Sequence, residues 1–103
     1  IEVSGEVSEL IESFPEKERY VLSSQMQRAS DSIALNIAEG STGQSNAEFK
    51  RFLGIALRSA IEVVCCLHLA RRRKLIGAEK FDLFYDSLTE LIKSIQALRK
   101  SIK

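Results

Sequence analysis

The chain has 103 residues, 28% of them charged and 45% apolar, with a formal net charge of +1. That length suits one domain with a modest core, and the balance is that of an ordinary folded soluble protein. Within this sequence no secretory leader or membrane span is expected, because the longest purely apolar run, Val63 to Leu67, is far too short for either.

One proline and five glycines leave long uninterrupted stretches, which favours helices. Residues 1–13 read as the first helix. Val3, Val7, Leu10, Ile11 and Phe14 fall three or four apart, while Glu2, Glu6, Glu9 and Glu12 cover the other sides. Phe14-Pro15 punctuates the pattern, and proline suits the first turn of a second helix over 15–39. Glu16 and Glu18 then sit where the helix dipole favours anions. The apolar stripe of this helix is Leu22, Met26, Ala29, Ile33 and Ile37, a helical spacing. Beside it runs a polar row of Gln25, Arg28, Ser32, Asn36 and Glu39. Ala29, Ser30, Ser32, Ala34 and Ala38 are small enough to let a neighbouring helix approach closely. Gly40 is predicted as a left-handed C-terminal cap, with Ser41 to Gln44 as a polar linker.

Ser45-Asn46-Ala47-Glu48 is a capping box opening a third helix over 46–74. Its stripe is Phe49, Phe52/Leu53, Ala56, Ala60, Val63/Val64 and Leu67, and a second set (Ile55, Ser59, Glu62, Cys66) widens the covered face. A helix this apolar is expected to be touched from more than one side, which points to self-association. Arg71 to Lys74 complement the dipole at its end, and Gly77 supplies a turn. The fourth helix, 78–101, carries Phe81, Phe84, Leu88, Leu91/Ile92, Ile95, Leu98 and Ile102 on one side. Four amphipathic segments with short connections predict an all-α fold: one domain, 1–103, forming an antiparallel up-and-down four-helix bundle.

The chemistry-bearing residues are sparse. His68 is the single histidine, with no HExxH and no Cys/His cluster around it, so a packed or surface role is expected and no metal or cofactor. Cys65 and Cys66 are helical neighbours pointing about 100° apart, expected as free thiols in a reducing compartment, hence a cytoplasmic protein. Cys65 and His68 stand at i, i+3 without an oriented third group, so catalysis is not predicted. Glu62 is expected to pair with Arg58 or with a base across a helix or subunit boundary. Charge is unevenly placed: residues 1–48 carry nine acids and three bases, residues 49–103 five acids and twelve bases. Such halves can pair within the fold or between subunits, or form two solvated faces. The basic run Arg71, Arg72, Arg73 and Lys74, with Lys50 and Arg51, is a candidate nucleic-acid footprint, and Arg58, Lys93, Arg99 and Lys100 could extend it; its bland counterpart is a solvated helix end. No interleaved aromatics offer base stacking.

Phe14-Pro15, Glu18-Arg19-Tyr20, Leu22, Ser24-Gln25, Arg28-Ala29, Ser32-Ile33 and Asn36-Ile37-Ala38-Glu39-Gly40 together resemble the four-helix bundle family encoded in intervening sequences of bacterial 23S ribosomal RNA genes, also called the S23 family. Glu48-Phe49, Phe52-Leu53, Ile55-Ala56, Ser59 and Glu62 match its third helix. The chain departs from the pattern with Ala34-Leu35, where a proline-alanine pair is common, and with a shortened first helix. More distantly it resembles the accessory protein of diversity-generating retroelements, a strongly basic pentameric barrel that binds nucleic acid. The resemblance implies assembly into a ring, typically a homopentamer. It also implies a structural role for the polar positions Gln25, Arg28, Ser32, Asn36, Glu39 and Gly40, with Arg28 paired to Glu39 or Glu62 and Asn36 satisfying backbone groups near Gly40. The expected function is a self-assembling scaffold or accessory protein without catalytic activity. The alternative is RNA or DNA binding through basic patches repeated around the ring.

Overall fold

The computed structural model describes the backbone of residues 2–12, 16–43 and 45–103, and the side chains at 4–8, 10, 21–43 and 45–103. Four helices follow one another: α1 (Glu2–Glu12), α2 (Glu16–Gly40), α3 (Asn46–Arg72) and α4 (Ala78–Ser101). No strand occurs among the described residues. The Phe14-Pro15 boundary, and the side chains of Val3, Ile11, Glu16, Glu18 and Tyr20, lie outside them. The radius of gyration is 14.4 Å, with extents of 44 × 22 × 18 Å. A compact chain of this length would give about 13 Å, and the excess reflects the length of the rods.

The central pair is α2 with α3, which share the most extensive contact; α4 packs on α3, and α1 on α2. Glu6 and Leu10 of α1 line a common groove with Lys80 and Phe84 of α4, which closes the bundle. The helical spacing dictates this core. Leu22, Met26, Ala29 and Ile33 of α2 are buried against Leu53, Ala56, Ala60, Val63, Leu67 and Ala70 of α3. Alanine recurs at this seam, and small side chains let the two rods lie close. Val7 and Leu10 add the α1 layer, and Leu88 and Ile95 the α4 layer. The α4 stripe is only half realised: Phe81, Phe84, Leu91, Ile92 and Ile102 are partly buried, and Leu98 is exposed. α4 therefore behaves as a peripheral helix.

Local details differ from the sequence expectation. Gly40 is the last helical residue of α2, and its backbone is not left-handed; Gly43, with φ +87°, takes that conformation instead. What Gly40 supplies is room. A Cβ there would lie 2.8 Å from Phe49 Cδ1 and 3.0 Å from Phe52 Cβ, so the end of α2 rests directly on the first turns of α3. The capping box at α3 is half made. Ser45 Oγ accepts from the Glu48 amide at 3.2 Å, but the Glu48 carboxylate turns to Arg51 Nε at 2.8 Å rather than back to the cap.

α3 stops at Arg72, two residues earlier than its basic run suggested. Lys74 adopts φ +61°, Leu75 N donates to Ala70 O at 2.9 Å, and Lys74 N donates to Arg71 O at 3.1 Å. This is the Schellman arrangement with lysine at the position where glycine is usual. α3 also has the length and composition to cross a bilayer, with a mean hydropathy of 1.8 over its most apolar window. A search for purely apolar runs misses this, because Arg58 and Glu62 interrupt the sequence without lowering the mean enough. Its inward row is taken up by α2 and α4.

Candidate functional site

α2 presents a second row on its outer side: Val21, Gln25, Arg28, Ser32, Leu35 and Glu39, again three or four apart. Where this row meets α3, a groove of about 290 Å³ opens, lined by Gln25, Arg28, Ala29, Ser32, Ser59 and Glu62. Its floor is a chain of neutral hydrogen bonds. The Ser59 hydroxyl donates to Ser32 Oγ at 2.8 Å, and Asn36 Nδ2 donates to Ser32 Oγ at 3.0 Å and to the Ser32 carbonyl at 2.8 Å. Ser59, itself buried, is thereby satisfied, as a buried hydroxyl must be to avoid a cost of about 1–3 kcal/mol.

The rim is charged. Arg28 on α2 and Glu62 on α3 border the same groove, yet neither takes part in an ion pair within 4 Å among the described residues. The Arg58–Glu62 pairing expected from spacing is also not formed; among the described residues the ion pairs are Glu48–Arg51 and Glu90–Lys93. Both of those place the acid N-terminal to the base, the more favourable order on a helix, and Arg58–Glu62 has the reverse. The groove therefore offers an uncommitted cation on one bank and an uncommitted anion on the other.

Of the predicted polar motif, Gln25, Arg28 and Ser32 enter the groove, and Asn36 supports its floor from one turn away. Glu39 is exposed, and its carbonyl accepts from Thr42 Oγ1 at 2.7 Å. Gly40 serves the helix contact described above. The basic residues separate into two groups. Lys50 and Arg51 lie at the start of α3 and Arg71, Arg72, Arg73 and Lys74 at its end, roughly 30 Å apart at 1.5 Å per residue. Arg51 is moreover engaged by Glu48, with its guanidinium 4.6 Å from the Phe52 ring centre.

A different polar seam was not foreseen. On the α1 side of α2, Ser4 Oγ bonds Asp31 and lies 3.3 Å from the fully buried Ser30 Oγ. Ser8 donates to Gln27 Oε1 at 2.6 Å, and Gln27 Nε2 donates to Asp31 Oδ1 at 2.9 Å. Serines at 4 and 8 share a helix face, which is the one sequence signal for it.

His68 is exposed and packs edge-on against Phe81 and Tyr85, with ring centres 5.1 and 5.9 Å away. No group of three or more His, Cys, Asp or Glu side chains converges among the described residues. Cys65 is exposed and Cys66 buried, both as thiols. Burial first, then Glu62 and Cys65, pushes the Cys66 thiol up to about 11, which leaves it a poor nucleophile at neutral pH. Ser32 and Ser59 bond each other and the Asn36 amide, and among the described residues neither hydroxyl is hydrogen-bonded to Glu62 or to another base. This arrangement can recognise a partner's polar and charged groups; it has no activated nucleophile.

The family model for the 23S rRNA-intervening sequence protein matches residues 1–97. A crystal structure of a protein of unknown function from the S23 ribosomal protein family of Bacteroides thetaiotaomicron is similar, with a TM-score of 0.90 and 30% identity over 97% of this chain and 94% of that one. No curated protein matches.

Proposed function

Since the chain belongs to the 23S rRNA-intervening sequence protein family, we propose that it is a self-associating helical-bundle scaffold or accessory protein, acting without catalysis, whose copies meet on the α2/α3 face. The observation that carries this reading is the company the groove keeps. Val21 and Leu35, on the same α2 row as Gln25, Arg28 and Ser32, are 62% and 68% exposed. Large apolar side chains around an unpaired Arg28 and Glu62 make a surface that a second copy complements, each subunit's cation meeting the other's anion. A homopentameric ring is the assembly that the family resemblance implies.

Light scattering on a sized sample tests this directly. The wild type is expected to run at a multiple of the 11.5 kDa subunit mass, and Val21→Asp with Leu35→Asp to return it to that mass with helicity retained. A wild-type protein that already weighs 11.5 kDa at working concentration refutes the reading.

A second reading rests on Arg71, Arg72, Arg73 and Lys74, all exposed and in no ion pair among the described residues. Repeated around an assembly, this run would bind RNA or DNA. Tight binding of structured RNA or duplex DNA, weakened steeply by salt and lost when the run is neutralised, selects it. No binding at low salt removes it.

A further inference from the structure

A second cleft, of about 570 Å³, lies between the first half of α3 and the last turns of α4, lined by Lys50, Leu57, Gln96, Arg99 and Lys100. It belongs neither to the α2/α3 groove nor to the basic run that ends α3. We propose that it binds a compact phosphate-bearing anion, a pyrophosphate or the phosphate tail of a small metabolite.

Charge comes first. Three of the lining side chains are cations, and no acidic residue lines the cleft among those described. Elsewhere on the same two helices, Arg51 and Lys93 each have a carboxylate one turn away at 2.8 and 3.9 Å. Among the described residues Lys50, Arg99 and Lys100 have no such carboxylate; the C-terminal end of α4 offsets only part of the charge of Arg99 and Lys100, so their mutual repulsion is not fully met.

Arrangement comes second. Arg99 Nε donates to the Lys50 carbonyl at 3.2 Å, which fixes the guanidinium while its Nη atoms have no hydrogen-bond partner among the described residues. The guanidinium occupies the space above Gly54, where a Cβ would stand 3.6 Å from Nη2. A longer side chain at 54 would dislodge it. A guanidinium already oriented by the backbone loses less freedom when it grips an oxyanion, and its planar fork suits phosphate oxygens. Lys50 and Lys100 add movable point charges, the Gln96 amide adds a neutral donor, and Leu57 supplies an apolar wall. The volume suits a small ligand, and four donors converge from two helices.

Calorimetric titration with inorganic pyrophosphate at low salt tests the proposal. Saturable binding is expected in the wild type. Arg99→Gln should weaken it about ten-fold or more, and Lys50→Gln and Lys100→Gln by less, given the usual strength of charge-assisted bonds. Gly54→Leu, which alters no charge, should also weaken it by displacing Arg99, and circular dichroism should show all four variants folded. Arg71→Gln with Arg73→Gln, at the far end of α3, should bind as the wild type does. Absence of saturable binding overturns the proposal. So does equal weakening by the Arg71/Arg73 variant, which would indicate diffuse charge. Binding of a short single-stranded RNA without any response to pyrophosphate overturns it as well, because the site would then serve a polymer.

Discussion

α2 carries a polar seam on each flank, and the two are built differently. Toward α1, Ser4, Ser8, Gln27, Ser30 and Asp31 bond one another, and the charge of Asp31 is met by a hydroxyl and an amide. Toward α3, only the neutral floor of Ser32, Ser59 and Asn36 is closed, and Arg28 and Glu62 above it have no ion partner among the described residues. A polar network completed within one chain holds that chain together. A seam finished at its base and left open at its charged rim is suited to hold something else.

Substitutions on the two flanks should separate these roles. Ser30→Leu, which drives a larger apolar side chain into a fully buried position against Ser4, should cost about 2 kcal/mol. In a domain of this size that lowers the melting temperature by roughly 8–16 °C, at 4–8 °C per kcal/mol. Arg28→Leu on the open flank should change subunit stability by less than about 0.5 kcal/mol, while weakening self-association seen by light scattering. Equal thermal losses from both would show the open rim to be structural as well. At the end of α3, Lys74→Gly should stabilise the fold by about 1 kcal/mol, because glycine removes the strain of a left-handed lysine; a thermal melt decides it.

Thiol labelling gives a smaller, qualitative contrast. Exposed Cys65 should react in the native protein at neutral pH, and buried Cys66, with its thiol pushed up to about 11, only after unfolding. Prompt labelling of both would mean that α3 is looser than its packing implies. The smallest effect concerns Glu48, whose carboxyl is held below its ordinary value of 4.5 by the hydrogen bond from Arg51 and then by its charge. The folded state thus binds that proton less readily than the unfolded chain. Its contribution is present above about pH 4.5 and fades as the pH falls through the lower folded value. A slight drop in melting temperature over that interval, absent in Arg51→Gln, is the expected result.

The helices and their inward faces were legible because burial repeats every three or four residues. Leu22, Met26, Ala29 and Ile33 announce one side of α2, and Leu53, Ala56, Ala60, Val63 and Leu67 its counterpart on α3. Less was legible where a position has two physical uses. Gly40 reads as a cap, but its use is to admit Phe49 and Phe52, a contact between residues nine or more apart in sequence. Lys74 carries no mark of a left-handed backbone; the apolar Leu75 after the basic run was the available hint. Half of the groove was visible as the row Gln25, Arg28, Ser32. That Ser59 and Glu62 complete it depends on how α3 is rotated against α2, which spacing within one helix does not fix.

The seat of Gly40 on two phenyl groups has a consequence for recognition. With the tip of α2 wedged onto the opening turns of α3, the helical hairpin has little freedom to hinge, and the groove between its arms is shaped before any partner arrives. Association there would forfeit almost no disorder, so a modest contact area could suffice for a durable complex.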